Sequence, residues 1–141
     1  MSCQIGLMLI LSLKKMFLID THVLLWSLVQ SDKLLAKEKA VLLDCHQKVF
    51  VSVASVWEIA IKISIGKLVL PSNLQNNLEE GLAQSGFDIL SVDFKVAWGV
   101  KDLPMYHSDP FDRLIISCAK LHNLTLITRD KMFEKYPIAL L

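Results

Sequence analysis

Short runs of apolar residues alternate along this chain with longer segments of helical periodicity. The apolar runs predict buried strands at residues 17–19, 49–51, 87–92 and 124–127, with a closing strand at 138–141. Helices are predicted between them, at residues 21–29, 32–46, 56–65, 72–85, 94–102, 110–122 and 131–135. This alternation favours an α/β domain whose central sheet, of about five strands, is mostly parallel and covered by helices on both faces.

The most informative stretch runs from His107 to Asp130. Asp109 is a good N-cap, and Pro110 suits the first position of a helix, where its missing N–H costs nothing. Asn123 is a plausible left-handed stop for that helix. A buried strand follows and ends just before Asp130. In a parallel sheet, the start of this helix and the end of this strand lie at the same edge.

Composition limits the possible classes of protein. A chain of 141 residues fits one domain, and its hydrophobic fraction of 53% suggests strands buried on both faces or a surface covered by a partner. The net charge of +1 does not indicate a strong positive electrostatic field that would attract nucleic acid, and it does not exclude a local basic patch. The cysteines, Cys3, Cys45 and Cys118, have no zinc-site spacing and imply no disulfide framework, which favours a reducing cytoplasmic setting.

Residues 1–15 do not fit the alternating pattern. The apolar run from Ile5 to Leu13 is far shorter than the ~20 residues of a membrane-spanning helix. It lacks the preceding basic residue and the following small-residue cleavage site of a secretory signal. We therefore expect no membrane association, an N-terminal extension at 1–15 and a domain at 16–141, with Met16 as the natural start of the protein.

Four acidic residues are predicted to meet at the carboxyl edge of the sheet, namely Asp20, Glu58, Asp112 and Asp130. Each has a local explanation of its own. Asp20 and Asp130 can cap helices, Glu58 can complete a Ser-x-x-Glu capping box with Ser55, and Asp112 can complement a helix dipole. Together, however, their carboxylates repel unless a cation neutralises them. A set of hard oxygen ligands suits Mg²⁺ or Mn²⁺, and such a site suits phosphate chemistry.

The segments that carry these acids also resemble a known family. They are Phe17–His22, Ser55–Ile59, Asp109–Arg113 and Ile127–Asp130. In this order they look like the four acidic motifs of PIN-domain ribonucleases, and most of all like the VapC-type toxins of toxin–antitoxin pairs. The resemblance extends from Met16 to Leu141, and the residues before Met16 are not part of the family pattern.

The resemblance implies a three-layer α/β sandwich and an endoribonuclease that uses Mg²⁺ or Mn²⁺ and leaves a 5′-phosphate and a 3′-hydroxyl. The implied metal-binding and catalytic residues are Asp20, Glu58, Asp112 and Asp130. Asp109 is then a cap or a supporting residue, and Thr128 can orient the fourth acid or a water molecule. The implied partners are an RNA substrate, a cognate antitoxin and a second copy of the chain in a homodimer.

Three basic residues are candidates for contacts with RNA. Arg113 and Arg129 neighbour two of the acids and can pair with a backbone phosphate or form structural ion pairs. Lys62 can extend a weak basic rim or lie on a solvated helix face. His107 can assist proton transfer, or it can be a loop residue without a role.

Two other functions compete with the nuclease. A catalytically silent scaffold of the same fold would bind a partner or RNA without cutting it, but it has no need to hold four carboxylates together. A phospho-accepting receiver domain would also use strand-end acids and Mg²⁺. Asp93 after the third predicted strand could accept phosphate, but no lysine follows the strand at 124–127, where a receiver needs one.

Overall fold

The computed structural model describes residues 15–141, and its centre is a parallel sheet. Within this range the strands are β1 (Met16–Ile19), β2 (Lys48–Ser52), β3 (Phe87–Leu90) and β4 (Thr125–Ile127). They lie in the order β3-β2-β1-β4, and every neighbouring pair is parallel. The predicted α/β class is confirmed. The expected closing strand at 138–141 is reduced to one bridge between Leu126 and Leu140.

Helices surround this sheet. They are α1 (Thr21–Val29), α2 (Ala36–Leu43), α3 (Val53–Ser64), α4 (Ser72–Asn76), α5 (Leu78–Gln84), α6 (Phe94–Gly99) and α7 (Pro110–His122), with 3₁₀ helices at Ser31–Lys33, Val100–Asp102 and Lys131–Lys135. The segment 32–46, predicted as one helix, is divided because Leu34 and Leu35 adopt extended backbone before α2. The helix predicted from residue 72 is likewise divided, at Asn77, whose φ of −145° interrupts helical geometry.

Alternate residues of the strands pack on opposite faces of the sheet. Phe17 and Ile19 of β1 belong to a buried cluster that includes Val23 of α1. Leu18, which points the other way, belongs to a second cluster that includes Ile115 of α7. This two-residue period explains why β1 is apolar throughout, since both of its faces are covered.

Helix α7 begins and ends as its sequence predicts. The Asp109 carboxylate accepts hydrogen bonds from the backbone N–H groups of Phe111 at 2.8 Å and Asp112 at 3.3 Å. Asn123 ends the helix with a φ of 53°, a left-handed conformation that asparagine tolerates better than most residues. These two caps determine where the first turn of α7, and therefore Asp112, lies.

The crevice of this sheet lies beyond the carboxyl ends of β1 and β4. The chain passes from β1 to β2 on one side and returns to β4 on the other, so the strand order reverses between β1 and β4. Ligands of open parallel sheets bind at such a point. Asp20 directly follows β1, and Asp130 follows β4 after Thr128 and Arg129, so both acids lie beside this crevice.

Three further expectations concern the ends and cysteines of the chain. Among residues 15–141, no helix has the length and apolar character that crossing a bilayer requires. The extension predicted at 1–15 lies outside the described residues, apart from Lys15. The third expectation, that of no disulfide framework, concerns Cys118 within the part of the chain that the structure describes. Cys118 is a buried free thiol.

Candidate active site

Asp20 is buried at the junction of β1 and α1. One carboxylate oxygen, Oδ1, accepts the backbone N–H of Val23 at 2.8 Å and so caps α1. The other, Oδ2, accepts a hydrogen bond from the Thr128 hydroxyl. Burial raises the pKa of Asp20, and the charge of Asp130 raises it further, while its two hydrogen bonds act in the opposite direction. The local N-cap explanation is therefore correct, but it accounts for only one of the two oxygens.

Glu58 lies inside α3 and not in a capping box. The helix begins at Val53 with Ser52 as its cap, so the capping role predicted for Ser55 is wrong. Glu58 accepts a hydrogen bond from the Thr21 hydroxyl at 2.7 Å, and its other carboxylate oxygen lies 2.7 Å from Lys62 Nζ. Two elements therefore hold Glu58, and the start of α1 orients it towards the carboxyl edge of the sheet.

Asp112 lies in the first turn of α7, beside the Asp109 cap. Its pKa is raised to about 6, first by burial and then by the charge of Asp109, with smaller contributions from Glu58 and Asp130. Within residues 15–141, no group that lowers the pKa of Asp112 does so by donating a hydrogen bond to its carboxylate. Among the described residues, this acid therefore has unfavourable surroundings as an anion and no donor that compensates for them.

Asp130 is held from two directions. Its Oδ1 accepts the backbone N–H of Met132 at 2.9 Å, and its Oδ2 lies 3.1 Å from His107 Nε2. Burial alone would raise the pKa of Asp130, but the hydrogen bonds from His107 and Met132 act against burial, and the pKa lies below its usual range. The Thr128 hydroxyl also accepts the backbone N–H of Asp130 at 3.1 Å, so Thr128 connects this acid to Asp20.

The four predicted acids form one electrostatic group. Asp130 raises the pKa of both Asp20 and Asp112, and Glu58 raises that of Asp112. One carboxylate oxygen of Asp112, one of Asp130 and a ring nitrogen of His107 lie within 4.8 Å of one another. Mutually repelling carboxylates around an acid without a donor fit a divalent cation with oxygen ligands, such as Mg²⁺ or Mn²⁺.

Arg113 has a different environment from the one predicted for a phosphate ligand. Its guanidinium is buried and donates to the backbone carbonyl oxygens of Val100, Leu103, Pro104 and His107 at 2.9–3.3 Å. Both terminal nitrogens are thereby engaged with the loop that leads into α7. In this structure Arg113 supports the site by holding that loop and does not face an RNA phosphate.

Arg129 and Lys62 are likewise engaged within the protein. Arg129 donates to both carboxylate oxygens of the buried Glu38, at 3.0 and 2.7 Å, and lies 4.6 Å from the ring centre of Trp26. Lys62 pairs with Glu58 across one turn of α3. The alternative of a structural ion pair therefore describes Arg129. Lys62 was expected either at a basic rim or on a solvated helix face, and its ion pair with Glu58 corresponds to neither expectation.

Sequence reasoning missed two residues of this site. The sequence assigns Thr21 no role at the site, but its hydroxyl binds Glu58, and its place directly after Asp20 is the available signal. Neither alternative for His107, proton transfer or a loop residue without a role, includes a contact that holds an acid, but His107 is 8% exposed and contacts Asp130. Its other partner, Tyr136, lies 29 positions further along the chain, so no local pattern could have indicated the contact.

Replacing Glu38 with glutamine is expected to destabilise the protein by about 1 to 3 kcal/mol, because the substitution leaves the Arg129 guanidinium without its charged acceptor. Burial would raise the pKa of Glu38, but the bonds from Arg129 and Leu35 lower it, so the stabilisation is present at neutral pH and decreases as pH falls. Urea unfolding of Glu38→Gln and of the exposed control Glu79→Gln measures the difference. Equal stabilities would contradict this role for Glu38.

Comparisons with known proteins agree with this fold. A family model described as PIN domain matches residues 17–139. Similar solved structures include VapBC2 from Rickettsia felis bound to a DNA fragment from their promoter, with 17% identity, a TM-score of 0.66 and coverage of 89% of this chain and 97% of that one. FitAcB from Neisseria gonorrhoeae has 26% identity, a TM-score of 0.58 and coverage of 88% of this chain and 95% of that one. A toxin-antitoxin complex from Klebsiella pneumoniae has 22% identity, a TM-score of 0.60 and coverage of 89% of this chain and 95% of that one. No curated protein matches the chain in sequence.

Proposed function

This chain belongs to the PIN domain family, and we propose that it is a divalent-metal-dependent endoribonuclease that acts as the toxin of a toxin–antitoxin pair. The observation that carries the proposal is the group of four acids at the carboxyl edge of the sheet. PIN domains are generally nucleases, and this chain retains an acid at each of the four motif positions. RNA as the substrate class follows from the motif resemblance to VapC-type toxins.

The residues that would hold Mg²⁺ or Mn²⁺ are Asp20, Glu58, Asp112 and Asp130. Such an ion supplies a Lewis acid for the scissile phosphate and lowers the pKa of a bound water molecule. The protein contributes the orientation of the carboxylates. Thr21 holds one oxygen of Glu58, and Thr128 holds one oxygen of Asp20.

Partner binding is the second part of the proposal. A toxin-antitoxin complex from Klebsiella pneumoniae is among the solved structures with this fold. The chain also exposes large apolar side chains, including Leu43 at 84%, Val69 at 85% and Phe94 at 78%. Covering apolar side chains of this size is favourable, so we propose that an antitoxin segment and a second copy of the chain contact them.

The receiver-like alternative receives no support from the position of Asp93. This residue follows β3, which is the edge strand of the sheet, whereas a phospho-accepting aspartate lies at the end of a central strand. Asp93 uses Oδ1 to cap α6 by accepting the Val96 N–H at 2.9 Å. The crevice and its acids lie at β1 and β4, towards the edge of the sheet opposite to β3.

The test of this function is cleavage of a mixed RNA pool by the purified chain with Mg²⁺, with Mn²⁺ and with EDTA. We expect metal-dependent cutting that decreases about 100-fold or more in Asp20→Asn, because asparagine still caps α1 but supplies no anionic oxygen. Asp88→Asn is the matched control, since Asp88 is an exposed acid of β3 away from the crevice.

Three outcomes would contradict parts of the proposal. Equal cutting by wild type and Asp20→Asn would place the activity elsewhere. Equal cutting of a single-stranded DNA pool would contradict RNA as the substrate class. Binding of Mn²⁺ without cutting of either pool would favour the catalytically silent scaffold.

A further inference from the structure

His107 lies in a buried position that requires partners for both of its ring nitrogens. It follows the Val100–Asp102 turn and precedes α7, and only 8% of its surface is exposed. Its ring packs against Phe133, with 4.6 Å between ring centres, and against Tyr136, with 5.5 Å. A buried imidazole in such an apolar surround is costly unless its polar atoms are hydrogen-bonded.

Tyr136 satisfies one side of the imidazole. The Tyr136 hydroxyl oxygen accepts the backbone N–H of His107 at 2.9 Å and lies 3.1 Å from His107 Nδ1. The backbone N–H can only donate, so its bond leaves the phenol proton available. That proton can be donated to Nδ1, which then acts as the acceptor nitrogen of a neutral ring.

Asp130 satisfies the other side. His107 Nε2 lies 3.1 Å from Asp130 Oδ2. An ionised carboxylate only accepts hydrogen bonds, so the nitrogen that faces it must carry a proton. Both contacts are therefore satisfied by one tautomer, with the proton on Nε2 and the lone pair on Nδ1.

We propose that His107, held by Tyr136, is a positioning residue that fixes the carboxylate of Asp130 through a protonated Nε2 and does not itself bind the metal ion. The inference rests on the proposed function, because it concerns how this chain prepares one acid of the metal site. Proximity alone would allow His107 to be a ligand with Asp112 and Asp130. Its hydrogen bonds decide otherwise, since a ligating Nε2 would have to lose its proton and its bond to Asp130.

The bond from His107 determines the direction in which the second carboxylate oxygen of Asp130 points. Without His107, Asp130 keeps only the bond from the Met132 N–H to Oδ1, and its second oxygen can leave the direction of Asp112. The side chain of Asp130 is 43% exposed, so its neighbours do not hold it by packing alone. Outer partners of metal ligands typically change metal affinity 10- to 100-fold when they are removed.

The experiment combines ring-nitrogen NMR with Mn²⁺ binding and uses no RNA. Long-range ¹H–¹⁵N correlation spectra report which ring nitrogen is protonated, and His107→Gln identifies the His107 signals by their loss. We expect a protonated Nε2 in the metal-free protein and also after addition of Mg²⁺. Loss of that proton when Mg²⁺ is added would make His107 a ligand and overturn the proposal.

Electron paramagnetic resonance of free Mn²⁺ gives the affinities of the variants. His107→Leu is expected to bind about 10-fold more weakly than wild type. His107→Gln should recover most of the affinity, because its amide N–H can replace Nε2–H, and Tyr136→Phe should fall between the two. Wild-type affinity in His107→Leu, with a native unfolding curve, would overturn the proposal. If wild type binds no Mn²⁺, the metal-dependent function and this effect on affinity both fail, while the NMR spectra still decide the His107–Asp130 bond.

Discussion

Asp112→Asn is expected to abolish RNA cleavage and, at neutral pH, to stabilise the metal-free protein. The pKa of Asp112 in the folded chain is raised from 3.8 to about 6, mainly by burial and then by Asp109. A raised carboxyl pKa means that the fold disfavours the anion, so the ionised side chain destabilises the folded state at pH 7. The neutral amide removes this cost together with the anionic oxygen that the proposed metal site requires.

The sign and size of the effect follow from linkage. Between the unfolded pKa and about 6, the folded state binds more protons, so stability falls as pH rises through that window. The full shift corresponds to about 3 kcal/mol, and screening of this partly exposed group reduces our expectation to about 1 to 2 kcal/mol. At pH 4 the difference in stability between wild type and Asp112→Asn should largely disappear, because the folded side chain is then neutral and the unfolded side chain is only about half ionised.

Urea unfolding in EDTA at pH 4 and pH 7.5 checks this prediction, with Asp88→Asn as the control. Cleavage of the RNA pool by Asp112→Asn should fall about 100-fold or more, because a metal-site acid is lost. A variant that is less stable than wild type at pH 7.5 would show that Asp112 is structural. A stable variant that still cuts RNA would remove Asp112 from the proposed site.

Replacing Arg113 with methionine should destabilise the protein by about 3 to 5 kcal/mol. The guanidinium is buried and binds carbonyl oxygens of Val100, Leu103, Pro104 and His107, which methionine cannot replace. The loop 100–107 then loses the donors around which it folds. Because this loop carries His107 to Asp130, we also expect weaker Mn²⁺ binding in any fraction that remains folded.

Arg113→Lys is the matched variant. It keeps the charge but has one ammonium group in place of two terminal nitrogens in a planar fork, so it should recover only part of the stability. Urea unfolding at pH 7.5 gives the free energies of unfolding for wild type and both variants. A loss of less than about 0.5 kcal/mol in Arg113→Met would mean that the loop is held by other contacts.

Local features of this protein were predictable from the sequence because short-range physics governs them. The cap at Asp109 and the left-handed stop at Asn123 depend on residues within one turn of the helix. The strands at 17–19 and 49–51 were predictable because short, unbroken apolar runs are typical of strands in a sheet that is covered on both faces. The convergence of Asp20 and Asp130 followed from the common edge of parallel strands, which the topology confirms.

Local reasoning failed where neighbours in space replace neighbours in sequence. Ser55 and Glu58 have the spacing of a capping box, but Ser52 caps α3, so Ser55 lies within the helix. Arg129 stands next to an acid of the crevice, yet its carboxylate partner is Glu38, 91 positions away. A charged side chain pairs with an oppositely charged group that the fold brings close and shields from water. The sequence alone does not identify that group.

The sequence by itself therefore determined the α/β class, the boundaries of α7 and the strand-end position of Asp20 and Asp130, because periodicity and caps act within a few residues. Only the tertiary structure decided which partners these acids have. It places Thr21 on Glu58 and His107 on Asp130, and it turns Arg113 towards its own loop. These contacts join distant segments, and their geometry depends on how the helices pack on the sheet.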